Sequence, residues 1–502
     1  MDHPIKRPSW DEHIKTLFVQ QDAGCMAWAM DLRSYDSVRA NAAKISEWIG
    51  SGRMPPPDEG RSWPIDQLTT FRNWATNTGY AEKPFVRIKP SAQPRVRRSI
   101  HALDADEIIL LKKAFEGIMA RDGDLDDRQS FFTLAGIHWL PTTNNEAYCR
   151  HHDDAYNPWH RAYLMAFEDA LRSVEGCEDV TLPYWDILGD TIPDWVYDAP
   201  FYGYKYPHDL KGFDGSTMVA KGLEISRFDA DVIKQNVIDD SDNIADKISE
   251  ALNATRWRGF NGWGDWGNQH EGIIRAHDNG HGVCGETIAD QSVAAFDPLF
   301  WFFHCNWDRL WWKWQSEHNL RSLISFQSVV EGDANWLKEA PETLLAPFDV
   351  NSAEMIDLGA WKVDYEHPPA ETFPADVLIA ASTENMAAIH SFAIPTTERL
   401  AVRVNDINRL DIPGSFLVML ISGDEVIAKT SVFQPSEPRA CANCTKHGEF
   451  GTEFIVARGR LPTETPLRVA IKVRKPGGTL EDFPLERAGN PTVSIRMMLS
   501  AQ

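Results

Sequence analysis

The chain has 502 residues, 43% of them apolar and 25% charged, with 19 tryptophans. That is enough apolar material for a large core and for two or three domains of ~150 residues, and it excludes collagen-like and low-complexity chains. Fifty basic against 73 acidic side chains give a formal charge of −23. Such a field repels phosphate backbones and anionic lipids, so neither nucleic acid nor a membrane surface is an expected partner. No apolar run approaches the ~20 residues of a membrane helix. The start, Met1-Asp2-His3-Pro4, shows no basic segment followed by an apolar one, as a signal peptide would. The seven cysteines (25, 149, 177, 284, 305, 441 and 444) are odd in number and scattered. A cytoplasmic location is therefore expected rather than a secreted disulfide framework. A homo-oligomer is left open.

Residues 1–94 read as a small helical extension. One helix is expected from Asp36 to Ile49, with Val38, Ala42, Ile45, Trp48 and Ile49 at helical spacing and Gly50 as the stop. Another is expected with Ile65, Leu68, Phe71 and Trp74 on one face. Residues 95–368 read as mainly helical. After His367-Pro368-Pro369 the pattern turns to period two at Leu400, Val402 and Val404, at Leu467 to Val473, and at Val493, Ile495 and Met497. Phe416 to Ile421 is a continuous apolar run that suits a strand buried on both faces. Residues 369–502 therefore read as an all-β, sandwich-like domain.

Nine of the 16 histidines lie between 138 and 304. His138 follows Phe131, Leu134 and Ala135 at helical spacing, which puts it on a buried helix face. His151 and His152 precede Pro158-Trp159-His160, where Pro opens a second apolar helix. His277 and His281 stand at i and i+4, on one helix face and able to chelate one metal. His304 ends the apolar run Phe296 to Phe303. Taken singly, each reads as a core histidine or a chance pair. Taken together, six imidazoles without supporting carboxylate ligands favour copper, whereas a hydrolytic zinc site would use three.

Pro158-Trp159-His160-Arg161-Ala162-Tyr163-Leu164 with Glu168, and the nine-residue step from His151 to His160, resemble the first copper signature of the type 3 copper family, the tyrosinases, catechol oxidases and haemocyanins. Asp297-Pro298-Leu299-Phe300-Trp301, then His304, Asn306, Asp308, Arg309 and Leu310-Trp311, resemble the second. Leu182-Pro183-Tyr184-Trp185-Asp186 is similar to a further family hallmark. The resemblance implies a four-helix-bundle domain holding two copper ions, one on His138, His151 and His160, the other on His277, His281 and His304. It selects His151 over His152. It also implies O2 as co-substrate, bound side-on as peroxide, and small phenolic or catecholic substrates oxidised to o-quinones, with ortho-hydroxylation of monophenols as an added activity. A haemocyanin-like oxygen carrier without phenol turnover is the alternative.

The resemblance carries further expectations. Cys149, two residues before His151, is expected to be joined to that ring as a thioether. Glu168 and Asp308 are candidates to accept the outer ring N–H of a ligand histidine, and Asp308 reads equally as a helix-surface salt-bridge partner of a neighbouring Arg. Asp278 stands where many tyrosinases have Asn, and reads either as a base or as a carboxylate that repels acidic substrates. Glu271 reads either as the holder of a water or as a solvated acid. Residue 303 is Phe where many relatives have a second His, and residue 291 is Gln where plant enzymes place a blocking Phe. In the tail, Cys441-Ala442-Asn443-Cys444 resembles a copper-loading CxxC of fungal relatives, and soft thiolates suit Cu(I). Phe433 reads either as a placeholder in the pocket, under a tail that acts as lid, or as a core residue of the β-domain.

Overall fold

The computed structural model describes residues 3–56, 60–139, 148, 150–264, 269–366, 399–457, 467–475 and 479–498. Cys149 and the segment 367–369 lie outside the described residues. The chain divides into two compact units, Met1–Lys89 with Asp333–Ile356, and Pro90–Gly332 with Asp357–Gln502.

In the first unit, α1 (Gln20–Met26), α2 (Tyr35–Ala40), α3 (Ala42–Gly50) and α4 (Ile65–Thr76) pack around Trp10, Ile14, Val38, Ile45, Phe71 and Trp74. The single helix expected over Asp36–Ile49 is broken at Asn41. Its amide Nδ2 donates to the Ser37 carbonyl at 2.8 Å, a local bond that competes with helix continuation. Leu68, Phe71 and Trp74 are buried on one face as expected, whereas Ile65, the first residue of α4, is 69% exposed. The Arg7 guanidinium donates to Asn351 at 2.7 Å and so ties the N-terminal segment to residues 333–356.

The second unit has a helical part and a β part. Its elements run β1 (Arg95–Arg97), α5 (Ala105–Met119), α6 (Phe131–Gly136), α7 (Tyr156–Arg172), β2 (Leu210–Lys211), β3 (Thr217–Val219), α8 (Ala230–Asp239), α9 (Ala245–Asn253) and α10 (Trp257–Asn261). They continue through α11 (Gly272–Cys284), α12 (Glu286–Ala289), α13 (Leu299–Glu317), α14 (Leu323–Gln327) and β4 (Val363–Tyr365). The β part holds β5 (Arg399–Asn408), β6 (Phe416–Ser422), β7 (Glu425–Val432), α15 (Ala442–Lys446), β8 (Glu449–Ala457), β9 (Leu467–Arg474), β10 (Leu480–Phe483) and β11 (Thr492–Met498). One antiparallel sheet has the order β10-β9-β6-β7 and the other β11-β5-β8. The mainly α core with a C-terminal β-domain is as expected. The apolar run Phe416 to Ile421 is β6, paired on both sides in the larger sheet.

Charge deep in the core positions α7 and α13. Arg161 on α7 donates to Asp308 on α13 at 2.6 Å. Arg97 on β1 bonds Asp308 at 3.2 Å and the Tyr365 hydroxyl at 2.8 Å. Arg95 donates to Glu168 at 2.9 Å, and Glu168 accepts the Leu182 N–H at 2.8 Å. Buried carboxylates need such partners. Glu168 and Asp308 serve this network, so the alternative expected for Asp308, an arginine pair, is the one formed, in the core rather than on the surface, and among the described contacts neither carboxylate accepts a ring N–H of the six histidines. Between α11 and α13 the approach is close: a Cβ on Gly280 would lie 3.0 Å from the Phe303 ring and 3.1 Å from Trp307. A side chain at Gly280 would crowd both rings.

Candidate metal centre

The six histidines come from four places on the helical frame. His138 lies two residues past the end of α6, in a turn rather than on the expected helix face. His151 precedes α7 and His160 is on it. His277 and His281 sit one turn apart on α11, and His304 is on α13. They are between 0% and 4% exposed. The ligand nitrogens of His138, His151 and His160 lie within 4.8 Å of one another, and so do those of His277, His281 and His304. The two triads face each other: the rings of His160 and His304 are stacked 4.6 Å apart, and His151 lies 5.5 Å from His277.

Proton placement decides whether these groups fit metal. His160 Nδ1 lies 2.8 Å from the Tyr156 carbonyl, His281 Nδ1 2.8 Å from the Ile288 carbonyl, His138 Nδ1 3.2 Å from the Gln291 carbonyl, and His277 Nδ1 2.9 Å from Asp278 Oδ1. Each acceptor holds the ring proton on Nδ1 and leaves a bare lone pair on Nε2, the usual arrangement of a metal-bound histidine. His138 Nε2 and His160 Nε2 are buried without a partner. His277 Nε2 and His281 Nε2 approach to 2.8 Å. With both protons on Nδ1 that contact is two lone pairs facing each other, which needs a cation to be favourable. Burial, opposed by the Tyr156 carbonyl, pushes His160 down to about 3. Burial also holds the other five well below the usual range, which favours the neutral imidazole a metal ligand needs. The residues fit two copper ions.

Asp278 is the hub of a polar cluster beside this centre. Its Oδ1 accepts from His277 Nδ1. Its Oδ2 accepts from His152 Nε2 at 2.9 Å, His270 Nε2 at 3.0 Å and the backbone N–H of Phe433 at 3.1 Å. Arg409 Nη1 donates to His152 Nδ1 at 2.6 Å, and Trp263 stacks on the His152 ring at 4.1 Å. Burial pushes the Asp278 carboxyl well up, against the lowering effect of the Phe433 N–H and Arg409. His152 has a left-handed backbone, φ 59°, unusual for a non-glycine residue and a mark of local strain. That turn sends His151 and His152 to different partners. His270, Arg409 and Trp263 were not anticipated from sequence. Glu271, by contrast, is ion-paired with Lys247 at 2.8 Å and Arg275 at 3.1 Å, and none of the described contacts joins it to the six histidines.

The β-domain reaches the centre through Phe433, just past β7. Its ring is stacked on His281 at 3.8 Å and 7°, and lies 5.3 Å from His151 and 5.6 Å from His277. Phe433 is 1% exposed. Phe303 packs 4.6 Å from His281 on the helical side. Cys441 and Cys444 flank the start of α15, with the Cys444 N–H donating to Cys441 Sγ at 3.1 Å. No disulfide joins them. Asn443, between them, donates to the His151 carbonyl. Arg409 Nη2 approaches Cys444 Sγ at 3.8 Å. A cleft of 830 Å³ between the helical part and the β-domain is lined by Arg275, Asn279, Gly282, Lys429 and Ser431 among others, and by none of the six histidines.

Residues 128–317 match the model of the common central domain of tyrosinase. The tyrosinase of Aspergillus oryzae is 26% identical over 486 residues, covering 70% of this chain and 86% of that protein. A G-type hemocyanin of Enteroctopus dofleini is 28% identical over 273 residues, 51% of this chain and 9% of that one. Among solved structures, the tyrosinase of Burkholderia thailandensis aligns with a TM-score of 0.56 at 18% identity, covering 80% of this chain and all (100%) of the other. A functional unit of octopus hemocyanin aligns with a TM-score of 0.51 at 16% identity, covering 80% and 99%. These two likenesses speak to the fold. Residues 128–317 thus carry the tyrosinase central-domain match, and the two histidine triads within that stretch fit the paired copper site of the type 3 copper family. The match supports an oxidoreductase of the tyrosinase family with a dinuclear copper cofactor, and the two histidine triads fit such a site. No helix among the described residues is long and apolar enough to cross a membrane.

Proposed function

We propose that this chain oxidises catechols to o-quinones with O2, hydroxylates monophenols as a second activity, and is closed here by its own tail. The copper pair supplies the O2 and electron-transfer chemistry. The chain's own residues do the rest: the carbonyls of Tyr156, Ile288 and Gln291 and the Asp278 carboxylate fix the ligand rings, and the aromatic walls keep the pocket dry. The observation that carries this reading is the Phe433 ring lying parallel on His281 at 3.8 Å. A phenyl group held there, lacking a hydroxyl, occupies the place a phenol would take. Residues 369–502 are then a lid over the domain of residues 95–368.

An oxygen carrier would need the same triads under a permanent cover, and the likeness to octopus hemocyanin favours that second reading. Assay of the copper-loaded chain with 4-methylcatechol and with 4-methylphenol separates them. Quinone from both supports the proposal, quinone from the catechol alone limits it to catechol oxidation, and reversible O2 binding without quinone supports the carrier.

In the same reading the Cys441–Cys444 pair hands Cu(I) to the site, supported by the Asn443 bond to the backbone of His151. The double change Cys441→Ser, Cys444→Ser is expected to lower copper content in cells and to leave activity normal after copper is added in vitro. Unchanged copper content would refute the loading role. The Cys149–His151 thioether remains a proposal. Its mark is an intact mass lower by two hydrogens together with Cys149 resisting alkylation in denatured protein, and full alkylation of Cys149 would exclude it.

A further inference from the structure

Two charges in the cleft between the helical part and the β-domain lack a counterion. Asp240, just past α8, is 7% exposed. Its carboxylate accepts one side-chain hydrogen bond, from Asn243 Nδ2 at 2.8 Å, and belongs to none of the described ion pairs. Burial pushes its carboxyl up, against the opposing effects of Asn243, Lys429 and Arg275. Arg275 is itself taken by Glu271 at 3.1 Å and the Glu453 carbonyl at 2.7 Å. Arg474, the last residue of β9, is the counterpart. Its guanidinium makes one described side-chain bond, a long one of 3.5 Å to the Gly282 carbonyl. Burial pulls it down, against the effect of the Asp290 carboxylate. A charge held out of water without a partner is costly. Both side chains line the same cleft of 830 Å³, yet they do not pair with each other. We propose that this cleft is a second ligand site, and that it takes a linear zwitterion with an apolar body, its carboxylate on Arg474 and its ammonium on Asp240.

The walls suit such a molecule. Beside Arg474 the chain leaves a notch. A Cβ on Gly282 would lie 3.1 Å from Ser431 Oγ and 3.8 Å from Arg474 Nη2, so a hydroxyl and a guanidinium converge on space that a side chain at 282 would fill. Those are strong donors for a carboxylate. Val283, Leu417, Met419 and Leu480 give the cleft apolar surface. Asp239, Asp242 and Asp246 line it on the side of Asp240, and are exposed. They draw an ammonium in and repel phosphates and other polyanions. The volume falls in the range of small-molecule sites, about 300–1,000 Å³. None of the six histidines lines the cleft, so binding there is independent of the oxidase reading.

Calorimetry on the full chain, metal-free and copper-loaded, provides the test. The probes are 6-aminohexanoate, 8-aminooctanoate and 10-aminodecanoate, each beside the plain carboxylate and the plain amine of the same length. The best zwitterion is expected to bind about tenfold or more tighter than either single-charge analogue, since a charge-assisted hydrogen bond supports that much. Arg474→Gln is expected to erase its advantage over the amine, and Asp240→Asn its advantage over the carboxylate. Copper loading is expected to leave the affinities unchanged. Without ligand, Tm is expected to hold or rise in both variants, because each removes an uncompensated charge. No binding by any zwitterion of the series, affinities indifferent to both substitutions, or binding lost on copper loading would each overturn the proposal. So would a marked fall of Tm in both variants, which would show that the two charges are already satisfied within the chain.

Discussion

Replacing His304 by alanine is expected to lower catechol oxidation by more than about 100-fold, beyond the usual effect of losing an outer partner of a metal ligand. The reason lies in how the ring is placed. His304 Nε2 is 3.2 Å from His281 Nε2, and its ring is stacked on His160 from the opposite triad. One substitution thus takes a donor from one metal position and a supporting surface from the other. The fold is expected to survive, because the buried shell of Phe300, Phe303 and Trp307 around this stretch of α13 stays in place. Copper content should fall below two per chain, measured by atomic absorption beside circular dichroism. Near-normal oxidation by a folded His304→Ala protein would remove the dicopper assignment.

The second large effect is expected at Phe433, where truncation to alanine should raise activity. Burying a Phe side chain contributes about 1.5–3 kcal/mol, and aromatic stacking adds about 0.5–1.5 kcal/mol. Losing both moves a closed–open equilibrium by about tenfold or more. The rate with 4-methylcatechol should rise in proportion until the open form dominates. The β-domain remains held elsewhere, by Asn279 to the Ser431 N–H at 2.8 Å and to Thr430 at 3.0 Å, and by Ser292 to Ser436 at 2.9 Å. Partial opening is therefore expected rather than release of the domain. An unchanged rate in a folded Phe433→Ala protein would show that the ring does not block the site.

Four of the six histidines, His160, His277, His281 and His304, were legible because each sits on a helix, whereas His138 and His151 lie in turns and were reached through the family resemblance. The i, i+4 spacing of His277 and His281 and the apolar setting of His304 and His160 follow from residue order alone. The acceptors that set their tautomers were not legible: backbone carbonyls of Tyr156, Ile288 and Gln291 have no sequence signature. Nor were the partners of Asp278. His152 reaches it through a left-handed turn, and Arg409 from a strand end 131 positions further along the chain (409 − 278). Long-range polar contacts of this sort depend on how the domains pack. In the β-domain, period two was enough to locate β5, β9 and β11, and the unbroken apolar run located β6. The break at Asn41 was missed because Val38, Ala42 and Ile45 keep helical spacing across it.

Anomalous diffraction at the copper edge from crystals of the copper-loaded chain tests the central claim most directly. Two peaks are expected, one within reach of His138, His151 and His160 and the other within reach of His277, His281 and His304, with the Phe433 ring beside them. A single peak, or copper bound at Cys441 and Cys444 with both triads empty, would contradict it.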